Sequence, residues 1–284
     1  MKLSILIAVY NEALTVGELL ERVWAQPIPA SSREIIIIES NSTDGSRDLV
    51  SAFARRHPDG PDVTVRVILE PQPEGKGHAI RAGIAAATGE VILIQDADLE
   101  YDVSDHPLLL QPIVEGRAAF VLGSRHLGPN RWRIRSFARG GIQATLMNVG
   151  GMLFHTLFNV VFASRLTDPT SMFKVFRADC MHGLHLTCNR FDFDYELLGK
   201  LMRAGFQPLE VPVSYRSRGF DEGKKIRVLR DPPGWVWAIF KARFSRIRAE
   251  IPRAAHHRET CAPSPVSIQP GHTPHATAYS RSPR

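Results

Sequence analysis

The chain has 284 residues, 44% of them hydrophobic and 23% charged, which is typical of a soluble globular protein with a sizeable core. Its three cysteines, Cys180, Cys188 and Cys261, are too few and too scattered for a disulfide framework or a zinc site, so a reducing, cytosolic setting is expected. The net charge is +6, and the excess of positive charge lies from residue 216 onwards, where there are 14 Lys/Arg and 5 Asp/Glu. This excess predicts an anionic ligand or an anionic surface as the partner of that segment. The sequence contains no recognisable nucleic-acid-binding module.

Short apolar runs alternate with helical periodicities through the first half of the chain. The runs are rich in β-branched residues, which is typical of strands buried on both faces. The predicted strands are residues 3–10, 34–39, 63–69, 90–95 and 119–123. Helical spacing of apolar residues predicts helices at 12–24, 44–56 and 76–87. Strand–helix–strand units build parallel sheets, so we predict an α/β fold with a mostly parallel sheet flanked by helices.

A second, longer apolar stretch runs from Ile142 to Ala163 and has enough residues to raise the question of a membrane span. It contains Gln143, Asn148, His155 and Asn159, whose polar groups are unfavourable in lipid without partners. We therefore predict a helix or helix pair that packs on the domain or lies at a membrane interface.

Residues 234–248 (GWVWAIFKARFSRIR) combine aromatic residues with Lys and Arg. This combination is typical of an interfacial membrane helix, and a helix docked on the core explains it equally well. We divide the chain into a main domain at 1–232, a basic amphipathic helix at 233–250 and a tail at 251–284. The tail offers little to bury, so we expect it to be disordered.

Three acidic residues at alternate positions, Asp96, Asp98 and Glu100, follow the most hydrophobic predicted strand. Carboxylates at the end of a buried strand are costly unless something neutralises them. Mg²⁺ and Mn²⁺ take oxygen ligands and often bridge carboxylates to substrate phosphates. The motif predicts a divalent-cation site, with a solvated loop and helix cap as the alternative.

Further polar clusters fall at the same predicted edge of the sheet, at residues 8–12, 39–45 and 75–77. Ligands of parallel sheets bind beyond the carboxyl ends of the strands. We expect Tyr10 to stack on a base, and Glu12 or Glu39 to accept hydrogen bonds from base or ribose. Lys76 lies between two glycines, which permit close backbone contact with a phosphate. Turn chemistry and a surface charge are the simpler alternatives for the last two clusters.

Several stretches of the chain resemble family 2 glycosyltransferases, which share the GT-A fold. The most similar group is that of the dolichol-phosphate or polyprenyl-phosphate mannosyl- and glucosyltransferases. The matching stretches are AVYNEALTVGELL, ESNSTDGS, EGKGHAIRAGIAAATGEVILIQDADLEYD, VLGSRHL, TDPTSMFKVFRAD, FDFDYELLGKLMRAGF and VPVSYRSRGFDEGKKIR, spanning residues 5–227 in the family's order. Ala8 stands where the family usually has proline, and Glu39-Ser40-Asn41 where it usually has two aspartates, which leaves the donor base open.

The resemblance implies roles for individual residues. It implies a metal site of Asp96, Asp98 and Glu100, and a nucleotide-sugar site of Ala8, Tyr10, Glu12, Glu39, Lys76, Asp96 and Ala97. It implies that Asp98, Arg125, Arg139 and Arg218 serve catalysis, the arginines beside donor or acceptor phosphates. It also implies a basic loop with Lys224, Lys225 and Arg227 for the acceptor phosphate. Asp168 and Glu196 are the remaining acidic candidates near the acceptor, and for Asp168 a structural turn is at least as good an explanation.

The reaction that the resemblance implies is an inverting transfer of a hexose, mannose or glucose, from a GDP- or UDP-linked donor to a polyprenyl phosphate. Mg²⁺ or Mn²⁺ would be the cofactor, and the enzyme would work in the cytoplasm or peripherally at the cytoplasmic face of a membrane. A lipid phosphate is already an anion at neutral pH, whereas a hydroxyl acceptor needs a general base. The nearest alternative keeps the fold and donor but transfers to a saccharide or small hydroxyl compound.

Other classes of protein fit the sequence less well. A nucleotidyltransferase would need a Gly-rich, basic triphosphate loop after the first strand, and AVYNEAL offers none. A dehydrogenase would need G-x-G-x-x-G after a strand, and Gly75-Lys76-Gly77 lacks the third glycine. A binding module without catalysis would leave the acidic cluster at the strand end unexplained.

Overall fold

The computed structural model describes residues 1–127, 141–218 and 231–245, which belong to one compact unit. Seven strands form one sheet: β1 (Lys2–Val9), β2 (Ser32–Glu39), β3 (Val63–Leu69), β4 (Val91–Asp96), β5 (Phe120–Ser124), β6 (Lys174–Arg177) and β7 (Leu209–Pro212). The helices are α1 (Val16–Ala25), α2 (Ser46–Arg56), α3 (Lys76–Ala86), α4 (His106–Val114), α5 (Gly141–Phe162), α6 (Phe193–Arg203) and α7 (Asp231–Phe244).

The strand order is β3-β2-β1-β4-β6-β5-β7, and only the pairs that involve β6 are antiparallel. The carboxyl ends of β1, β2 and β4 therefore lie side by side, with Val9 opposite Glu39 and Ala8 opposite Asp96. The predicted α/β fold with a mostly parallel sheet is confirmed. The five predicted strands are β1 to β5, each within two residues of its predicted bounds.

Each face of the sheet is covered by helices. Leu3, Ile5 and Ile7 of β1 belong to a core with α1, α2 and α4, whereas Leu6 belongs to a second core with α3, α5, α6 and α7. This alternation follows from the two-residue period of a strand. Because both faces of β1, β2 and β4 are buried, these strands are mostly apolar, and most of their polar side chains lie near their ends.

Helix α1 begins at Val16, four residues later than the sequence predicts. Residues 12–15 form a turn in which the backbone N–H groups of Thr15 and Val16 donate to the Glu12 carbonyl at 3.0 and 2.8 Å. The loop after β2 holds this turn, because Ser46 Oγ accepts from the Glu12 N–H at 2.8 Å. The turn keeps residues 10–12 at the edge of the sheet.

Helices α5 and α7 both lie beside α6. Helix α5 is a single helix of 22 residues, and its Phe162 ring lies so close to α6 that a Cβ on Gly199 would come within 2.4 Å of Cζ. On α7, Ala238, Ile239 and Ala242 are fully buried, while Trp237 and Phe244 are exposed. Within the described residues, none of the helices combines the length and the hydropathy that crossing a bilayer requires. The tail predicted to be disordered, 251–284, lies outside the described residues.

Candidate active site

A cleft of about 1000 Å³ opens at the carboxyl ends of β1 and β4. Chain segments from the start of α3, the middle of α5, the loop before β6 and the start of α6 complete its walls. Ten residues that the sequence places in the site line this cleft: Ala8, Tyr10, Glu12, Lys76, Asp96, Ala97, Asp98, Glu100, Arg125 and Arg218. The fold thus brings together residues that are up to 210 positions apart in the chain (from 8 to 218).

Two asparagines shape the rim next to β1 and β2. Asn11 and Asn41 have φ values of 51° and 55°, in the left-handed region that asparagine tolerates better than most residues. Asn11 Oδ1 accepts from the Thr43 N–H at 2.8 Å, and the Asn11 N–H donates to Ser42 Oγ at 2.9 Å. These bonds lock the two strand-end loops together and leave the Tyr10 ring 39% exposed at the cleft.

The predicted cation ligands stand together after β4. Asp96 forms an ion pair with Lys76, and Asp98 is 7% exposed. Burial, and then the negative charges of Asp96 and Glu100, raise the pKa of Asp98 to about 7. The strand end therefore concentrates more negative charge than it can hold without a cation.

Arg218 supplies one such cation from the far side of the cleft. Its Nη2 donates to Asp98 Oδ2 at 2.6 Å, and its Nη1 donates to Glu12 Oε2 at 2.8 Å. The segment that carries it is fixed on Glu100, whose carboxylate accepts from the Arg218 N–H at 2.7 Å and from the Tyr215 hydroxyl at 2.8 Å. Arg218 and the acidic cluster thus form one ion-pair network that closes over the end of β4.

This donor set fits Mg²⁺ or Mn²⁺. The oxygens of Asp96, Asp98 and Glu100 are hard ligands, and Asp98 and Glu100 share a cation already, since Arg218 Nε lies 3.9 Å from Glu100 Oε1. A dication that displaces Arg218 would keep the charge of the cluster compensated. It would also leave the guanidinium beside the cleft to meet an anion.

The two glycines around Lys76 serve packing within the chain. A Cβ on Gly75 would lie 2.5 Å from the Asn189 carbonyl oxygen, and a Cβ on Gly77 would lie 2.5 Å from that of Cys188. Gly75 also has a φ of 107°, which other residues rarely adopt. The close contact that the glycines permit is therefore with the segment before α6, and this contact aims Lys76 at Asp96.

Glu39 is the predicted nucleotide-site residue that does not line the cleft. It is fully buried, where it accepts from the Ser42 N–H at 2.7 Å and from the Arg47 guanidinium. Burial alone would raise its pKa, but the hydrogen bonds from Ser42 and Arg47 outweigh burial and lower it. Ser40, one residue later, lines the cleft instead.

Arg125 lines the cleft but is held from behind by Asp168. Its Nε donates to Asp168 Oδ2 at 2.6 Å and its Nη2 to Oδ1 at 2.7 Å, a bidentate pair. The guanidinium carbon lies 5.0 Å from the centre of the Tyr215 ring. Burial would raise the pKa of Asp168, but the charge of Arg125 prevails and holds that pKa far below its usual value. Asp168 therefore positions Arg125.

The other acidic residues divide between cleft and core. Glu196, expected near the acceptor, is fully buried and accepts from Lys200 Nζ at 2.7 Å and from the Cys188 N–H at 2.7 Å. Asp194 lines the cleft and pairs at 3.1 Å with Lys174, whose side chain is wholly buried. Asp194 is a site residue that was not predicted, although the acidic pair Asp192 and Asp194 in FDFDYELL is a signal for it in the sequence.

Four of the predicted site residues, Arg139, Lys224, Lys225 and Arg227, lie outside the described residues. Their roles near the donor and acceptor phosphates stay predictions.

Comparison with known proteins identifies relatives for most of the chain. The family model for "Glycosyl transferase family 2" matches residues 4–181. A dolichyl-phosphate beta-glucosyltransferase of Trichomonas vaginalis is 28% identical over 240 residues, which are 78% of this chain and 66% of that protein. A dolichol-phosphate mannosyltransferase of Pyrococcus furiosus is 26% identical over 226 residues, 79% of this chain and 59% of that protein. The chain therefore spans less than two thirds of the length of these curated relatives.

Solved structures share the fold. The mannosyl-3-phosphoglycerate synthase of Rubrobacter xylanophilus has a TM-score of 0.57 and 20% identity, covering 93% of this chain and 79% of that one. The glucosyl-3-phosphoglycerate synthase of Mycobacterium tuberculosis, solved with Mn²⁺, UDP and its product, has a TM-score of 0.56 and 18% identity, with coverages of 85% and 79%.

Proposed function

Because the chain belongs to glycosyl transferase family 2 and is a glycosyltransferase with the GT-A fold, we propose that it transfers a hexose from a nucleotide sugar to a polyprenyl phosphate. The transfer depends on Mg²⁺ or Mn²⁺ and inverts the anomeric carbon. The observation that carries this proposal is the acidic cluster Asp96, Asp98 and Glu100 at the end of β4, flanked by the cations of Lys76 and Arg218.

The donor diphosphate belongs at this cluster. A bound divalent cation neutralises the diphosphate and stabilises the charge that develops on it as the sugar leaves. Lys76 pairs with Asp96 and Arg218 with Asp98, so each can turn to a phosphate oxygen when the cation takes its place at the carboxylates. The nucleoside of a GDP- or UDP-sugar then lies along β1, where Ala8, Tyr10 and Glu12 line the cleft.

The acidic residues expected near the acceptor favour an acceptor that needs no general base. Asp168 is held by Arg125, and the hydrogen bonds of Lys200 and of the backbone, working against burial, lower the pKa of Glu196 to about 2. Carboxylates stabilised in this way accept protons poorly at neutral pH. A phosphate acceptor is already anionic, and two curated relatives are named for dolichyl or dolichol phosphate. A hydroxyl acceptor remains the alternative, and Asp194 in the cleft is the base that it would use.

A lipid acceptor also requires that the enzyme reach a membrane surface. Trp237, Phe240 and Phe244 are 69%, 39% and 74% exposed on α7, and Lys241 and Arg243 supply positive charge beside them. Aromatic rings next to basic side chains favour the headgroup region of an anionic bilayer. We propose peripheral binding at the cytoplasmic face through this side of α7.

One assay tests the acceptor, the donor and the cation together. Radiolabelled GDP- or UDP-sugar is incubated with polyprenyl phosphate, with and without Mg²⁺, and the product is partitioned between organic solvent and water. Label in the organic phase that requires Mg²⁺ is expected. Label confined to the aqueous phase, with a sugar or phosphorylated small molecule as acceptor, would replace the lipid by a hydroxyl acceptor.

The variant Asp98→Asn tests the role of the acidic cluster in this assay. Asp48→Asn, which changes an exposed carboxylate on α2, is its control. Loss of one group that stabilises transition-state charge costs about 10² to 10³ in kcat. Asp98→Asn should also lose the thermal stabilisation that nucleotide and cation give together, because a ligand stabilises only the state it binds. Full turnover by a folded Asp98→Asn protein would contradict the proposed role of the cluster.

A further inference from the structure

A second group of metal-ligand side chains lies behind the wall of the cleft. His126 lies two residues after the end of β5, His155 lies on α5, and Asp168 lies in the loop before β6. One potential ligand atom from each lies within 4.8 Å of the other two. His155 Nε2 is 3.5 Å from Asp168 Oδ1, and the centres of the two imidazole rings are 4.9 Å apart. Three separate chain segments therefore bring two imidazoles and one carboxylate to a single point.

We infer that His126, His155 and Asp168 bind one transition-metal ion, of the chemical class of Zn²⁺, Co²⁺ or Ni²⁺, at a site separate from the acidic cluster after β4. Imidazole nitrogen suits these metals, whereas Mg²⁺ and Ca²⁺ prefer oxygen. The chain thus has an all-oxygen donor set after β4 and a mixed nitrogen and oxygen set behind Arg125, and the two sets select different ions.

Thr170 marks the place of the ion. Its Oγ1 lies 3.0 Å from Asp168 Oδ1 and 3.1 Å from His155 Nε2, so the hydroxyl links the two residues. A metal ion between the carboxylate and the imidazole takes over this link, and the separation of 3.5 Å between the two ligand atoms is close to the span of neighbouring ligands in a tetrahedral site. His126 has to approach by a side-chain movement to complete the set.

Arg125 fixes the orientation of the Asp168 carboxylate, the proposed oxygen ligand of the ion. Its carboxylate is fully buried and accepts two bonds from the guanidinium and a third, of 3.1 Å, from the Arg125 N–H. Ligating carboxylates are commonly fixed by such outer hydrogen bonds. The positive charge of Arg125 also opposes a second cation, so the site is expected to bind more weakly than one without that arginine.

Occupancy of the site would stiffen the wall of the cleft. Arg125 and Thr170 line the cleft, and the ion would tie the end of β5, the middle of α5 and the loop before β6 together. The inference concerns binding of the ion alone, and it stands or falls independently of the proposed acceptor.

Titration of the full chain with Co²⁺ tests the inference, because Co²⁺ bound by imidazole in a tetrahedral site absorbs visible light. The proteins are the wild type, His155→Gln, His126→Gln and, as a control, His182→Gln, whose histidine is exposed. The chain has 11 histidines; those outside the cluster contribute equally in the wild type and the two cluster variants, and His182→Gln shows how much the loss of one exposed histidine changes the titration. Melting in metal-free buffer checks that each variant is folded.

The expected result is one visible-absorbing Co²⁺ site in the wild type and in His182→Gln. It should bind at least tenfold more weakly in both cluster variants, since even outer-shell losses cost about 10- to 100-fold in affinity. Asp98→Asn should keep this site. The inference is overturned if the cluster variants titrate like the wild type, or if the site disappears in Asp98→Asn.

Discussion

Arg218 donates a hydrogen bond of 2.6 Å from Nη2 to Oδ2 of Asp98. The guanidinium thereby occupies a carboxylate oxygen that the proposed divalent cation would use. A guanidinium and a divalent cation repel each other at such short range, so binding of the metal and its diphosphate should drive Arg218 away from Asp98. Once released from Asp98, the Arg218 guanidinium lies close to where the donor phosphates are proposed to bind.

The Arg218→Gln variant should therefore bind Mn²⁺ more tightly than the wild type while turning over more slowly. Removal of a competing charge-assisted hydrogen bond, about 1.5–3 kcal/mol, should tighten Mn²⁺ binding by roughly tenfold or more. Loss of a cation that meets the phosphates should lower kcat by about 10². Mn²⁺ binding followed by electron paramagnetic resonance, together with initial rates, measures both effects.

Arg216→Gln is the control for this prediction. The Arg216 side chain is exposed, and its contact with the cluster is a backbone bond of 2.8 Å to the Glu100 carbonyl, so the substitution should change neither quantity. Weaker Mn²⁺ binding by Arg218→Gln would show that Arg218 does not compete with the cation.

His106 should make the protein sensitive to mild acid. Burial lowers the pKa of His106 to about 3, and its Nε2 lies 2.8 Å from Gln95 Oε1. The imidazole stays neutral in the folded chain but gains a proton in the unfolded chain below its ordinary pKa of 6.5. The free energy of unfolding therefore falls as the pH drops from 6.5 towards 3, by about 2 kcal/mol at pH 5 from this residue alone.

Urea unfolding at pH 7.5 and at pH 5 checks this prediction. His106→Gln should lose about 2 kcal/mol less between the two pH values than the wild type does, whatever its stability at pH 7.5. The exposed His185 provides the control variant His185→Gln, which should follow the wild type. Equal pH dependence of all three proteins would contradict the assignment.

Gly77→Ala should destabilise the protein, because the added methyl group meets the backbone of the segment before α6. It would lie 2.5 Å from the Cys188 carbonyl oxygen and 2.6 Å from Cβ of Phe193. Overpacking of this kind costs about 1–3 kcal/mol. Gly17→Ala on α1 is the control, since nothing lies within 4 Å of its Cβ and alanine favours a helix by up to about 1 kcal/mol. Thermal unfolding should move the two variants in opposite directions.

Substitution of the exposed aromatic residues of α7 should weaken membrane binding. Truncation before α7 would be a poor test, because Ala238, Ile239 and Ala242 are part of the core. The double variant Trp237→Ser, Phe244→Ser removes only exposed rings. Burial of one such side chain is worth about 1.5–3 kcal/mol, so sedimentation with anionic vesicles should show at least a tenfold loss of binding.

The control for this experiment is Leu14→Ser, which removes an apolar side chain that is 91% exposed elsewhere on the surface. It should sediment with vesicles as the wild type does. Equal sedimentation of the double variant and the wild type would exclude α7 as the membrane contact.

The first five strands could be predicted from the sequence because each contains a short run of apolar residues, most of them β-branched; the run is continuous where both faces are buried, as in β4, and is broken by the exposed Arg66 in the edge strand β3. Strand β6 gave no such signal. It has four residues, and its Lys174 is buried only because Asp194, twenty positions later, pairs with it. Strand β7 is equally short and ends in Pro212. Helix α6 buries Glu196 together with Lys200, and such paired charges obscure an apolar face.

The acidic cluster could also be predicted, since it depends on one strand and its end. Contacts between side chains that are distant in the sequence could not be predicted. Glu39 and Asp98 look alike in the sequence, each an acidic residue near the end of a buried strand, but Arg47 of α2 covers Glu39 while Asp98 faces the cleft. The bidentate pair of Arg125 and Asp168 likewise joins residues 43 positions apart.

The antiparallel direction of β6 has a consequence for how such an enzyme can diversify. The chain reaches the cleft at the carboxyl end of β4 and returns to it just before β6, so the loop with Thr170 and Met172 belongs to a different stretch of sequence from the carboxylates. Mutations or insertions around Thr170 can reshape that wall of the pocket while the carboxylates stay in place, and Met172, whose Sδ lies 3.3 Å from Lys76 Nζ, couples the two walls. A hybrid that exchanges residues 164–173 with those of a relative would keep the carboxylates at the end of β4 and alter the wall of the pocket that Thr170 and Met172 line.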